Sequence, residues 1–96
     1  MLFMTIYTWE PERRNAVINR RLEKGPLLPD GAKVIGEWSA IAGGKIFRLA
    51  EISDAAAALA ASRAWSDLGK AEMVPVVVTE DALKLDAFRE MLANLS

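Results

Sequence analysis

Two pairs of side chains near the middle of the chain have types that could hold a ligand. The dipeptide Gly43-Gly44 predicts a two-residue hairpin turn, because both central positions of a type I′ turn need positive φ. In that register Trp38 and Glu51 lie diagonally on one face of the hairpin. A carboxylate beside an indole N–H would hold a polar ligand. The same contact inside a core would only satisfy the indole N–H, and the residue types favour this second interpretation.

Glu37 and Arg48 form a second diagonal pair, in mid-strand on the opposite face. Arg48 would serve as a cationic anchor for an anionic ligand inside a barrel. A cross-strand ion pair at the sheet surface or in a dimer interface uses the same two residues. The pattern favours the ion pair.

Three further side chains are candidates for a site. Glu72 lies among valines of a predicted strand. If its carboxylate is partly buried there, it would act as an acid or a base. If the strand is an edge strand, the carboxylate would instead point to solvent. Trp65 and Tyr7 are expected in core or rim packing. We assign no catalytic residue. The candidate ligand-binding residues are Tyr7, Trp38, Arg48, Glu51, Trp65 and Glu72.

Composition argues against several kinds of site and partner. The chain has no histidine and no cysteine, so the usual zinc and copper ligands and a histidine-ligated haem are missing, and we expect no metal and no cofactor. A net charge of -1 argues against nucleic acid as a partner. No apolar run approaches the roughly 20 residues of a membrane span, and the short apolar start lacks signal-peptide features. We expect a cytoplasmic protein with no membrane partner.

These residues are positioned by a predicted framework of four strands and three helices. Strands are predicted over 2–9, 33–42, 45–52 and 71–78, and helices over 11–24, 55–67 and 80–94. Pro75 predicts an edge strand or a bulge, because proline cannot donate to the ladder. The order predicts one α+β domain over residues 1–96: a ferredoxin-like βαββαβ unit with an antiparallel four-stranded sheet, two helices on one face and an extra C-terminal helix.

Both faces of the predicted sheet are apolar. One face carries Val34, Gly36, Trp38, Ala40, Phe47, Leu49 and Glu51, and the other carries Ile35, Glu37, Ser39, Ile41, Ile46, Arg48, Ala50 and Ile52. Two helices can cover one face only, and the other would expose more apolar area than a monomer usually tolerates. We therefore expect a twofold homodimer packed sheet to sheet, with the last helix at its margin. Charge placement favours the Trp38 face as the helix-covered one, because its charges sit at strand ends.

A set of short motifs spans positions 28 to 76: Leu28-Pro29-Asp30-Gly31, Gly36-x-Trp38, Phe47-x-Leu49-x-Glu51, Trp65 with Leu68, and Glu72-x-x-Pro75-Val76. With these motifs the chain resembles a small bacterial family of unknown function in the dimeric α/β barrel superfamily of ferredoxin-like dimers. The resemblance implies that two sheets pair into a barrel with an internal cavity, and analogy with related barrels would place Glu51 towards that cavity. The superfamily includes cofactor-free monooxygenases, isomerases, haem-degrading enzymes and stress-response proteins, and the haem enzymes use a histidine that this chain lacks.

Three functional hypotheses remain open at this point. The first is a dimer that binds a small apolar or weakly polar molecule in its barrel. The second is a cofactor-independent enzyme of the monooxygenase or isomerase type, in which Glu51 or Glu72 acts as base in a closed cavity. The third is a dimerisation module with a solidly packed interior.

Overall fold

The computed structural model describes residues 1–95, without the side chains of residues 86–88. The described residues form β1 (Leu2–Thr8), α1 (Arg14–Lys24), β2 (Ala32–Ser39), β3 (Lys45–Ile52), α2 (Ala55–Arg63), β4 (Lys70–Val76), α3 (Thr79–Ala82) and α4 (Asp86–Leu95). A single 3-10 turn, Pro11–Arg13, leads into α1. The predicted order is confirmed as far as β4, whereas the predicted last helix is divided into α3 and α4.

The four strands form one antiparallel sheet in the order β2-β3-β1-β4. Each crossover passes over one strand, since α1 connects β1 to β2 across β3 and α2 connects β3 to β4 across β1. The α+β class is thereby confirmed, and the topology is consistent with a ferredoxin-like fold. β4 lies at an edge of the sheet, which agrees with the position of Pro75 opposite Phe3.

Local chemistry accounts for the end of α1 and the start of α2. Gly25 ends α1 with a φ of 70°, a region that glycine enters without a steric penalty. Its N–H donates to the carbonyl oxygen of Arg21 at 2.9 Å. At the start of α2, the carboxylate of Asp54 accepts the N–H of Ala57 at 2.8 Å and satisfies a donor that the helix itself leaves free.

The hairpin between β2 and β3 differs from its prediction in two ways. Both glycines have positive φ as expected, but the turn is longer, because the N–H of Ala40 donates to the carbonyl oxygen of Lys45. Trp38 therefore lies opposite Phe47 and not opposite Leu49. A bulge between Val34 and Gly36 shifts the register once more.

The helices cover the face that carries Tyr7, Ala50 and Ile52, which corrects the expectation drawn from charge placement. Val34 also moves to this face, because the bulge places it opposite buried Ala50. Among the described residues, the buried side chains of the covered face and of the segments packed on it are Tyr7, Val17, Ala50, Ile52, Ala57, Trp65 and Leu68. Charge did not decide the matter, because a mid-strand arginine can be covered when a carboxylate lies beside it.

The opposite face of the sheet is left without a helix, and we call it the open face. Charged side chains of this face lie towards the strand ends. Between them the face carries Leu2, Met4 and Ile6 of β1, Gly36 and Trp38 of β2, Phe47 and Leu49 of β3, and Val74 and Val76 of β4. Trp38 is 55% exposed although it is a large apolar side chain. The apolar character of both faces, predicted from the sequence, is thus present in the folded sheet.

The C-terminal segment extends away from the sheet and does not cover the open face. The radius of gyration is 16.3 Å, against about 12.5 Å for a compact chain of this length. Apolar side chains of α4 are exposed, among them Met91, Leu92 and Leu95. This helix therefore has an apolar surface without a covering element among the described residues.

Candidate functional site

A cleft lies between the covered face of the sheet, α1 and α2. Its lining residues are Thr5, Tyr7, Val17, Arg21, Ile46, Arg48, Ala61, Trp65 and Ala71. The cavity volume is about 50 Å3. The empty space of the whole cleft, including its mouth open to solvent, is about 490 Å3. The walls are mainly apolar, and their charged groups are two arginines.

Three charged side chains form one cluster at the cleft. Nε of Arg48 donates to Oε2 of Glu37 at 2.6 Å, and Nη1 of Arg21 lies 2.9 Å from Oε1 of the same carboxylate. Arg48 and Glu37 are 16% and 20% exposed, so the pair is largely removed from water. Two cations share one anion, and the cluster carries one net positive charge.

The electrostatics of Glu37 make it a poor proton acceptor. Burial alone would raise the pKa of this carboxyl group, but hydrogen bonds from Arg48 and Arg21 outweigh burial and hold the pKa below its ordinary value. The carboxylate therefore remains ionised at neutral pH. Its role is to hold the two guanidinium groups in place, because a general base needs a pKa near the working pH.

The predicted pairing of Glu37 with Arg48 is present, in a closer form than the diagonal arrangement expected. The two residues lie directly opposite each other in the β2–β3 register. The pair lies under the helices and not at an outer sheet surface. The longer turn brings the two residues directly opposite each other, because it shifts β2 by two residues relative to β3. A shift of two residues leaves each side chain on the same face of the sheet.

Arg21 was not among the predicted site residues. The α1 arginines are interleaved with glutamates in the sequence, a pattern typical of a solvated helix surface. The structure instead turns Arg20 and Arg21 towards neighbouring elements, with Asp67 and Glu37 as partners. The available signal was spacing, because both arginines follow buried Val17 at three and four positions along the helix.

Tyr7 and Trp65 form an aromatic wall whose polar atoms are already used. The Tyr7 hydroxyl donates to the carbonyl oxygen of Trp65 at 2.7 Å, and Nε1 of Trp65 donates to the carbonyl oxygen of Pro26 at 3.1 Å. Burial, with a smaller contribution from the charge of Asp67, raises the pKa of Tyr7. The Arg20 guanidinium lies 5.5 Å from the centre of the Trp65 ring. The wall therefore presents ring surface to the cleft.

The structure divides the six predicted site residues between the two faces of the sheet. Tyr7, Arg48 and Trp65 meet in the cleft. Trp38, Glu51 and Glu72 belong to the open face, because their neighbours in register are Phe47, Leu2 and Ile6. The six candidates do not form one site.

The proposed contact between Trp38 and Glu51 is absent. Glu51 pairs with the N-terminal amine of Met1 and is 51% exposed. Trp38 lies two residues further from Glu51 than predicted, and its ring covers Gly36, where an added Cβ would come within 2.7 Å of the indole. The longer turn is the cause of the separation.

The two carboxylates proposed as bases do not lie in a closed cavity of the protomer. Glu72 is exposed on edge strand β4, and Glu51 is held by the amine. Among the described residues no group of three or more acidic, histidine or cysteine side chains is arranged to hold a metal ion. Within the same residues no helix has the length and apolarity needed to cross a membrane.

Comparison with known proteins identifies a family and no activity. Residues 1–88 match the family described as a domain of unknown function, DUF3303. The chain belongs to this family. No curated protein and no solved structure matches it. For the DUF3303 domain, placement in the dimeric α/β barrel superfamily stays a prediction.

Proposed function

We propose that the protein binds a small molecule in the cleft between the sheet, α1 and α2. The observation that supports this is the Arg48–Glu37–Arg21 cluster beside an apolar cavity. A buried ion pair is costly to desolvate, and a packed apolar core is often as stable or more stable. A net positive cluster beside unfilled space is therefore better explained by ligand recognition than by stability alone.

The same groups favour binding over catalysis. Glu37 is the carboxylate that pairs with both arginines of the cleft, and its lowered pKa makes it a weak base. The Tyr7 hydroxyl already donates to a backbone carbonyl, and burial raises its pKa. Cofactor-independent proton abstraction needs a base with a pKa near neutrality, which neither group provides.

A thermal-shift screen with neutral, anionic and cationic metabolites tests this proposal. A ligand at 100 times its Kd stabilises the folded state by about 2.7 kcal/mol, which is well within detection. Ala61→Leu extends a side chain into the cleft without changing charge, and we expect it to abolish stabilisation. Ala60→Leu, on the exposed neighbouring position of α2, is the matched control and should bind as the natural chain does. Stabilisation that survives Ala61→Leu, or a screen without any stabilising compound, contradicts the proposal.

We also propose that the open face packs against the open face of a second copy. Seven-residue strands at about 3.3 Å per residue and four strands at about 4.8 Å spacing give a flat area of about 440 Å2. A standard interface buries about 800 Å2 per partner, so the sheet would supply about half of that area. The apolar side chains of α4 would supply much of the remainder, because this helix extends beyond its own sheet.

A second copy is the favoured occupant because the chain itself offers both surfaces. A twofold interface requires a self-complementary patch, and a flat apolar sheet can face its own copy. Sedimentation velocity between about 1 and 100 μM tests this, and we expect a dimer over most of this range. Leu49→Lys on the open face should give monomers, whereas Leu59→Lys on the exposed side of α2 should leave the dimer intact. A monomeric natural chain at the highest concentration excludes this arrangement.

A further inference from the structure

Arg48 has unused hydrogen-bonding capacity at the wall of the cleft. Its Nε donates to Glu37, and neither of its terminal NH2 groups forms a hydrogen bond with a described residue. Arg48 lines the cleft and is 16% exposed, and neither of its NH2 groups is fully buried. Two adjacent NH2 groups on a planar guanidinium match the two oxygens of a carboxylate.

Thr5 carries a hydroxyl on the same wall of the cleft as Arg48. Thr5 and Arg48 lie directly opposite each other in the β1–β3 register, and both line the cleft. Side chains directly opposite in an antiparallel pair have Cβ atoms about 4.5–5.5 Å apart. The Thr5 hydroxyl is therefore a hydrogen-bond donor on the wall that also carries the guanidinium, and it can donate to an oxygen of a bound ligand.

The charge of the cluster selects for one negative charge. With Arg48, Arg21 and Glu37 ionised, the net charge is +1, and a monoanion neutralises it. A dianion would leave an excess negative charge in a poorly solvated place, and a neutral molecule would leave the positive charge uncompensated. Burial of an uncompensated charge is unfavourable in both cases.

The size of the cavity limits the rest of the ligand. A dry cavity of about 150 Å3 holds benzene, and the cavity here is about 50 Å3. A short aliphatic chain against Ile46, Ala61 and Ala71 fits this volume if part of the molecule occupies the mouth. Arg21 lines the cleft and is 39% exposed, so the cleft is open to solvent on this side.

We infer that the cleft takes a short-chain aliphatic monocarboxylate whose carboxylate binds the NH2 groups of Arg48 and the hydroxyl of Thr5. This inference rests on the proposed binding function and names its ligand class. Glu37 is a positioning residue in this arrangement, because it orients Arg48 through Nε and leaves the NH2 groups free.

The test compares ligands of one shape and different charge by thermal shift. Sodium butyrate, butyramide and disodium succinate are added at about 20 mM, each against sodium chloride of equal ionic strength. With a Kd of about 1 mM, butyrate should raise Tm by about 7–14 °C, and the other two compounds should change Tm by less than about 2 °C. A 15N NMR spectrum should show butyrate-dependent movement of the Arg48 Nε–H signal.

Variants assign the effect to Arg48. Arg48→Gln should lose the butyrate shift, and Arg48→Lys should retain part of it, because the charge remains and the planar fork is lost. Arg63→Gln removes the same charge from the exposed end of α2 and should bind butyrate like the natural chain.

The outcomes separate this inference from the proposed function. Equal stabilisation by butyramide and butyrate would overturn the monocarboxylate class of ligand but would leave the proposed binding in the cleft intact. A metabolite screen that finds only other ligands would have the same two consequences. Equal stabilisation by succinate, or a full butyrate effect in Arg48→Gln, also overturns it. A protein that no compound stabilises overturns both proposals.

Discussion

Glu37→Gln is the substitution with the most informative expected effect on stability. The amide keeps the size of the side chain and removes the negative charge, which leaves Arg48 and Arg21 facing each other without an anion. Removal of one partner from a fully buried pair costs about 3–5 kcal/mol, and an exposed pair contributes about 0–1 kcal/mol. Glu37 and Arg48 are 20% and 16% exposed. An intermediate loss of about 2 kcal/mol follows from these limits.

Urea denaturation followed by circular dichroism measures this loss directly. For a domain of this size a loss of about 2 kcal/mol lowers Tm by roughly 8–16 °C. Arg48→Gln should be less destabilising than Glu37→Gln, because Glu37 keeps Arg21 as a partner. The double variant should recover part of the summed loss, with a coupling energy of about 1 kcal/mol or more.

Glu23→Gln is the matched control, since it makes the same chemical change at an exposed position of α1. We expect a stability change within about 0.5 kcal/mol for this variant. If Glu37→Gln stays within the same limit, the cluster is solvated and the electrostatic reasoning about the cleft is refuted. An additive double variant would refute the direct coupling between Glu37 and Arg48.

Two further predictions concern packing and pH. Gly69→Ala should destabilise the protein by about 2–3 kcal/mol in urea denaturation, because an added Cβ would lie 2.4 Å from the Thr8 carbonyl oxygen and 2.7 Å from Cζ of the Tyr7 ring; an unchanged midpoint would contradict this close approach. Arg20 lowers the pKa of Asp67 to about 2. The contribution of the Asp67–Arg20 ion pair to folding stability is therefore fully present above the pKa that Asp67 has in the unfolded chain, and it is lost as pH falls through about 2. The unfolding free energy of Asp67→Asn should therefore fall less steeply between pH 5 and 2 than that of the natural chain, and parallel pH profiles would show that the pair contributes nothing to folding.

The site was only partly accessible to sequence reasoning. Arg48, Tyr7 and Trp65 could be selected as candidates from the sequence. An arginine in mid-strand or a large aromatic residue usually has a structural or a binding role. Arg21 could not, because a helix surface rich in alternating charges is usually solvated. Its position in the cleft follows from Glu37, a residue 16 positions away that only the folded sheet brings beneath α1.

The open face illustrates a different limit. Alternation along the strands shows that each face is apolar, and it contains no information on which face the helices cover. The choice of the face that the helices cover depended on the crossovers and on the ion pair that allows Arg48 to lie under α1. The bulge beside Val34 also had no sequence signal strong enough to predict it.

The amino-acid sequence alone determined the elements and their order as far as β4, because these depend on local causes. Strand and helix periodicity, the positive φ of Gly43 and Gly44, and the missing N–H of Pro75 all act within a few residues of the chain. The tertiary structure decided the register, the covered face and the cluster at the cleft. These depend on contacts between distant segments, where a shift of one or two residues changes every partner and leaves the local pattern unchanged.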